Sequence, residues 1–156
     1  MHIVLVEPEI PGNTGNISRL CAANHLTLHL VKPLGFSLED RYLKRAGLDY
    51  WDLLDLHVHE SFEDVVQFLV GKRFWYNTTK AQQVYTDVQF GRDDVLVFGK
   101  ETKGLPEEIL ASAPKQCIRI PMVDEARSLN LSNAVAIVSY EALRQLDFPG
   151  LQKAKE

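Results

Sequence analysis

The sequence predicts an α/β fold in which a mainly parallel sheet is flanked by helices. Short apolar segments typical of buried strands alternate with longer helix-like segments along all 156 residues. This alternation is the pattern of a parallel sheet with crossover helices. Neither an internal repeat nor a linker interrupts it, so residues 1–156 are predicted to form a single domain.

The first third of the chain contains two predicted strands and two predicted helices. The apolar runs His2–Val6 and Thr27–Val31 have the length of buried strands. A helix is predicted between them at about Gly15–Asn24, with Thr14 as its N-terminal cap. A second helix is predicted at Leu38–Ala46.

The middle of the chain continues the alternation. Ser61 and Asp64 have the spacing of a capping box, which predicts a third helix directly after the serine. Arg73–Tyr76 and Val95–Phe98 are predicted strands. Pro106 suits the first position of a helix ending near Ala111, because the N–H that proline lacks would be unpaired there.

The last predicted elements are the strand Cys117–Ile120 and a long helix at about Leu131–Leu146. Apolar residues surround the axis of this helix instead of forming one stripe. One interpretation is that one face packs on the sheet and another on a second copy of the chain. The alternative is a helix wholly buried inside a monomer.

Composition and charge favour an ordinary globular protein of the cytoplasm. No apolar run approaches the length of a membrane span, and the N-terminus lacks the pattern of a signal peptide. Cys21 and Cys117 are predicted to be buried thiols. The net charge of −4 disfavours nucleic acid, but the segment Trp51–Asp64 alone carries five acids and no Lys or Arg. The remainder can therefore carry a local basic face.

Three polar loops, each after a predicted strand, are the candidate site. In the first, Gly12 and Gly15 allow close approach of backbone to a ligand, and Arg19 can form two parallel hydrogen bonds to a phosphate or carboxylate. The second, Gly99–Pro106, places Glu101 between two glycines. A capped helix with a surface arginine and a solvated turn acid are the structural alternatives.

The third loop delivers Ser128, Asn130 and Asn133 to the start of the last helix. Unpaired N–H groups and the helix dipole favour an anionic or strongly polar ligand there, although the residues also suit simple capping. The second loop lacks the Lys and Ser/Thr that complete a phosphate-binding P-loop, and the dinucleotide glycine pattern is absent from the chain. With no arrangement for nucleophilic catalysis either, group transfer is the favoured chemistry.

Two weaker candidates lie outside these loops. Arg41, Lys44 and Arg45 share one helix face, which is either a phosphate-binding patch or a solvated surface. His57 and His59 share one face of a possible strand, but no third ligand follows at metal-binding spacing, so no metal site is predicted.

Taken together, the three loops resemble the signature motifs of the SPOUT class of RNA methyltransferases, in the TrmH-like branch that methylates ribose 2′-hydroxyls. The matching stretches are Asn13–Arg19, Val97–Pro106 and Ile120–Val135. Gly47–Tyr50 and Thr78–Lys80 resemble the small single-domain members that modify the wobble nucleotide, position 34, of certain leucine tRNAs. The order and spacing of the motifs match along nearly the whole chain.

The resemblance implies S-adenosylmethionine as methyl donor, a homodimer formed through the C-terminal helix, and a deep C-terminal trefoil knot. It also implies that the substrate is the anticodon stem-loop of a tRNA, with cytidine or a 5-substituted uridine as the target. The residues that it assigns to the cofactor are Asn77, Thr78, Gly99, Glu101, Gly104, Ile120, Met122, Ser128 and Leu129.

The catalytic residues implied by the resemblance are Asn13, Arg19, Ser128 and Asn130. Because arginine stays protonated, Arg19 is expected to hold a phosphate and stabilise charge on the 2′-oxygen, not to act as a base. The RNA contacts expected from the basic side chains and the last helix are Arg41, Lys44, Arg45, Arg127, Tyr140 and Arg144. The alternatives are the same chemistry on ribosomal RNA, a non-catalytic RNA-binding dimer, or a small-molecule enzyme that uses another nucleotide.

Overall fold

The computed structural model describes residues 1–41, 43, 45 and 48–156 of the chain. Its centre is a seven-stranded sheet with the order β3-β2-β1-β6-β4-β7-β5, in which every pairing is parallel. The predicted fold class is therefore confirmed. In chain order the strands are β1 (His2–Val6), β2 (Thr27–Val31), β3 (Leu56–His59), β4 (Phe74–Asn77), β5 (Gln83–Val84), β6 (Val95–Phe98) and β7 (Cys117–Arg119).

Helices cover both faces of this sheet. The four α-helices that we label are α1 (Pro11–Ala23), α2 (Phe62–Phe68), α3 (Glu107–Ser112) and α4 (Leu131–Gln145), and short 3₁₀ turns span Leu48–Leu53 and Pro114–Gln116. On one face α1 and α4 pack together over Ile3, Leu5 and Leu96. On the other face α2 and α3 cover Val4 and Val97. Two buried layers of this kind are typical of an α/β domain.

Several predicted boundaries are wrong. The helix predicted from Gly15 begins at Pro11, and Thr14 is buried inside it instead of capping it. Proline at the first helical position explains the earlier start, because its missing N–H needs no partner there. Pro106 is the N-cap of α3 and not its first residue. The capping prediction for α2 is confirmed, since Ser61 Oγ accepts the backbone N–H of Asp64 at 3.2 Å.

Other differences are small. The predicted strand Arg73–Tyr76 lies one residue later as β4, Cys117–Ile120 ends one residue earlier as β7, and β5 was not predicted. Both thiols, Cys21 and Cys117, are free and buried as expected. Within the predicted helix Leu38–Ala46, Arg41, Leu43 and Arg45 are helical, whereas residues 42, 44 and 46 lie outside the described part.

The strand order fits the knot that the resemblance implies. Residues 78–94 leave β4, form β5 beyond β7, and return to β6 on the other side of β4, so that β7 lies inside this loop. The side chain of Gln145, at the end of α4, binds this loop through Val88 O at 3.0 Å and Phe90 N at 2.9 Å. Passage of residues 120–130 through the loop stays a prediction.

Candidate functional site

A cavity of about 450 Å³ lies at the carboxyl ends of the strands. Loops that follow β1, β4, β6 and β7 form its walls, and the start of α4 closes it. Ligands of parallel α/β sheets bind at this edge, and the volume lies in the range of small-molecule sites. The three predicted loops therefore converge on one cavity.

The loop after β6 turns so tightly that it needs its glycines. Gly104 N donates to Lys100 O at 2.9 Å, and Gly104 has a φ of +68°, a conformation that side chains rarely adopt. A Cβ atom on Gly99 would lie 2.1 Å from the carbonyl carbon of Gly104. Because that neighbour is backbone, only glycine fits at position 99, and the loop presents main-chain groups to the cavity.

Glu101 connects this loop to the start of α1. Its carboxylate accepts Glu9 N at 2.7 Å and Ile10 N at 3.1 Å, and it lies 3.5 Å from Asn13 Nδ2. A carboxylate in front of a helix N-terminus is favoured by the helix dipole. Glu101 lines the cavity, but its oxygens accept hydrogen bonds from these backbone groups, and its contact with a cofactor stays a prediction.

Asn130 connects the third loop to the first. Its Nδ2 donates to Asn13 Oδ1 at 3.1 Å, while its Oδ1 caps α4 by accepting Ser132 N at 3.0 Å. Asn13 is 7% exposed, so this pair fixes both side chains at the cavity wall. Glu101, Asn13 and Asn130 thus form a continuous hydrogen-bonded chain through all three loops.

A second contact between the first two loops was not predicted from the sequence. The Glu9 carboxylate accepts Thr102 N at 3.1 Å and Thr102 Oγ1 at 2.7 Å, and these hydrogen bonds lower the pKa of Glu9. The two loops are therefore joined in both directions. The Glu101 carboxylate accepts a backbone N–H of the first loop, and the Glu9 carboxylate accepts a backbone N–H of the second. The only sequence signal was an acid next to a proline at a strand end, which is not specific.

All nine residues assigned to a cofactor by resemblance line the cavity: Asn77, Thr78, Gly99, Glu101, Gly104, Ile120, Met122, Ser128 and Leu129. Asn77 Nδ2 donates to Val97 O at 3.2 Å, whereas its Oδ1 is buried without a hydrogen-bond partner. An unpaired buried acceptor beside a cavity is costly unless a ligand or water satisfies it. The lining combines polar side chains such as Asn77 and Thr78 with apolar ones such as Met122 and Leu129, which fits a polar organic cofactor.

Arg19 is the one predicted catalytic residue that does not line this cavity. It is exposed on α1, and its guanidinium lies 4.8 Å from the centre of the Tyr50 ring. Asn13, Ser128 and Asn130 line the cavity, and their catalytic role stays a prediction. A single copy of the chain therefore brings three of the four catalytic candidates together.

The predicted RNA contacts are dispersed. Arg127 lines the cavity, and Arg41 and Arg45 are exposed elsewhere, while Lys44 lies outside the described residues. On α4, Tyr140 donates its hydroxyl to Asn24 Oδ1 at 3.2 Å, and Arg144 pairs with Glu141 at 2.9 Å. The cavity lining also contains four cationic residues that were not predicted: Lys80, Lys100, Lys103 and Arg119.

A histidine cluster on β1, β2 and β3 lies on the face of the sheet that α2 covers, and none of its members lines the cavity. His29 is fully buried, and its ring nitrogens lie 3.0 Å from His2 Nδ1 and 2.9 Å from His59 Nε2. Burial lowers the pKa of His2 to about 4 and that of His29 to about 3. His57 stacks on His29, yet the described residues contain no group of His, Cys, Asp and Glu that could hold a metal ion.

None of the described helices is long and apolar enough to span a bilayer.

Comparison with known proteins agrees with the site. The chain is 54% identical over 149 residues to the tRNA (cytidine(34)-2'-O)-methyltransferase of Methylovorus glucosotrophus, covering 95% of this chain and 97% of that one. A solved structure described as giving insights into the 2-OH methylation of C/U34 on tRNA superposes with a TM-score of 0.90, at 46% identity, covering 94% of this chain and 95% of that one.

A more distant structure holds a ligand. The AdoMet-bound rRNA methyltransferase of Sinorhizobium meliloti superposes with a TM-score of 0.82, at 25% identity, over 93% of this chain and 56% of that one. Residues 1–140 match the family model described as the SpoU rRNA methylase family. By that match, and by its close relatives, this chain belongs to the SpoU rRNA methylase family.

Proposed function

We propose that this protein transfers a methyl group from S-adenosylmethionine to the ribose 2′-hydroxyl of the wobble nucleotide, position 34, of leucine tRNAs. The target base is cytidine or a 5-substituted uridine. The observation that carries the proposal is the cavity in which Asn13, Glu101 and Asn130 connect the three family motifs by hydrogen bonds. A tRNA substrate also agrees with the names of the relatives and makes the cytoplasm the expected compartment.

The cavity suits this cofactor because its walls combine polar and apolar side chains with a glycine-containing loop. S-adenosylmethionine supplies an electrophilic methyl group on a sulfonium. The backbone of Gly99, Gly104, Ile120 and Met122 is expected to bind and orient the cofactor, and Leu129 to exclude water from it. Asn77 Oδ1, buried and unpaired, is available to accept a hydrogen bond from a donor group.

The protein's main tasks are to align the 2′-oxygen and to stabilise its developing negative charge. Asn13 and Asn130 hold each other at the cavity wall, and the exposed Ser128 beside them is available to bind the ribose. Arg19 remains our candidate for holding the adjacent phosphate. Because a guanidinium stays charged, phosphate or water is expected to accept the proton.

Two copies of the chain are expected to complete the enzyme. The exposed face of α4 carries Asn133, Ile137, Tyr140 and Arg144, which recur at one side of the helix. Ile137 is 37% exposed and Tyr140 is 46% exposed, which suits a partner surface more than contact with water. In a homodimer formed through this helix, Tyr140 of one subunit would lie near the tRNA that the other subunit binds. The tRNA would then contact both subunits.

The test is methyl transfer from labelled S-adenosylmethionine to bulk tRNA and, separately, to ribosomal RNA. We expect one 2′-O-methylated nucleotide at position 34 of leucine tRNA, identified by digestion and mass spectrometry. Methylation of ribosomal RNA alone would instead support the alternative substrate. Cofactor binding by calorimetry without any transfer would support a non-catalytic RNA-binding dimer.

A further inference from the structure

The mouth of the cavity carries cationic side chains without an ion pair in the described part of the chain, although the charge of Lys103 helps to lower the pKa of the nearby Glu9. Lys103, Arg119 and Arg127 line the cavity, and none forms an ion pair with a carboxylate in the described part of the chain. The other two lining lysines differ, since Lys80 pairs with Glu107, and Lys100 lies 3.8 Å from Glu7. We call Lys103, Arg119 and Arg127 the basic rim.

The positive charge of the basic rim is not balanced from inside the cavity. Glu101 is the acidic residue of the lining, and its two oxygens accept hydrogen bonds from Glu9 N and Ile10 N. A sulfonium cofactor offers one carboxylate beside its own positive charges, so it cannot balance three more positive groups. The charge therefore suits a polyanion that approaches from solvent.

Apolar side chains lie at the same mouth. Ile10 is 48% exposed and Leu129 is 38% exposed, and both line the cavity. An opening that combines cations with apolar surface matches a nucleotide, whose phosphate is anionic and whose base has an apolar face. A single nucleotide reaches the cavity only when it is unstacked, which is easiest in a single-stranded loop.

We propose that the basic rim binds the phosphates on either side of the nucleotide that enters the cavity, and that this nucleotide belongs to a single-stranded RNA loop. The inference rests on the proposed methyl-transfer function and specifies how its substrate is held. Lys103 belongs to the loop after β6, whereas Arg119 and Arg127 belong to β7 and the loop that follows it. The RNA backbone would cross the mouth between these two segments.

The test compares two double variants of equal composition. Lys103→Gln with Arg119→Gln removes two rim charges, and Lys115→Gln with Arg92→Gln removes one lysine and one arginine at the amino ends of β7 and β6, away from the cavity. Binding of a labelled tRNA transcript is measured by fluorescence anisotropy over a salt series. Competition by an unlabelled stem-loop and by a duplex of equal length follows.

For the rim variant we expect the log–log dependence of affinity on salt to become shallower by about 1.4, since each single-strand phosphate contact contributes about 0.7. The control variant should keep the wild-type slope, both should bind S-adenosylmethionine as the wild type does, and the stem-loop should compete better than the duplex. An unchanged slope in the rim variant, an equal change in the control, or equal competition by the duplex would overturn the inference. Failure of the proposed function is separate, because it would appear as wild-type protein that transfers no methyl group.

Discussion

The buried histidine chain predicts that the protein loses stability below pH 6.5. In the folded chain the pKa of His29 is lowered to about 3, because the ring is removed from water and surrounded by His2, His57 and His59. The unfolded chain has the ordinary histidine pKa of about 6.5, so it binds the proton first as the pH falls. The stabilisation is therefore complete above pH 6.5 and is lost as the pH falls towards the folded pKa.

The size of this loss between pH 7 and pH 5 depends little on the exact folded pKa. For a histidine that stays neutral in the fold, linkage gives a decrease of about 2 kcal/mol in the free energy of unfolding over that interval. His29 meets this condition, since it is 0% exposed. The pKa values of His2 and His59 are lowered as well, mainly by burial, so the total decrease should be larger.

Urea unfolding at pH 7, 6 and 5 measures the effect. His29→Gln keeps an acceptor and a donor for its two neighbours but does not titrate, so it should lose about 2 kcal/mol less than the wild type between pH 7 and pH 5. His25→Asn changes an exposed histidine and should retain the wild-type pH dependence. If His29→Gln loses as much stability as the wild type over this interval, the histidine explanation is wrong.

Three further predictions concern the site. Gly99→Ala should cost about 1–3 kcal/mol in urea unfolding and weaken cofactor binding in calorimetry, because its Cβ meets backbone, whereas Gly12→Ala, with open space around it, should not. Glu101→Ala should cost about 1–2 kcal/mol in the same unfolding assay, because the N–H groups of Glu9 and Ile10 lose their acceptor. Arg19→Lys should lower single-turnover methyl transfer at unchanged cofactor affinity; near-normal transfer would refute a paired hydrogen bond to phosphate.

The sheet was predictable because its strands are buried on both faces. β1, β2 and β6 are short, mainly apolar runs, and their predicted ends are those of the structure. β5 was missed because two residues, Gln83 and Val84, are too few to produce a period. Its place at the sheet edge depends on pairing with β7, more than 30 residues later in the chain.

That the three candidate loops share one cavity was predictable only through the resemblance. The glycines and polar residues of each loop also suit ordinary turns and caps, and no local pattern shows that the loops meet. Arg19 illustrates the limit of assigning a residue's role from a family motif. The motif identifies the residue, but in a single chain the residue contacts Tyr50 outside the cavity.

At the start of α1, the wrongly predicted helix boundary and the contact of Glu9 with Thr102 that was not predicted have the same origin. Ile10 is the N-cap and has no side chain that can bind the helix N-terminus, so the sequence near it suggested Thr14 as the cap instead. The acceptor comes from Glu101, about 90 residues away, and Glu9 returns a carboxylate to Thr102. Because the helix start and the cavity wall share these bonds, a change that loosens one should loosen the other. The position of Asn13, and through it Asn130, is therefore determined by the same long-range contact that local sequence rules cannot detect.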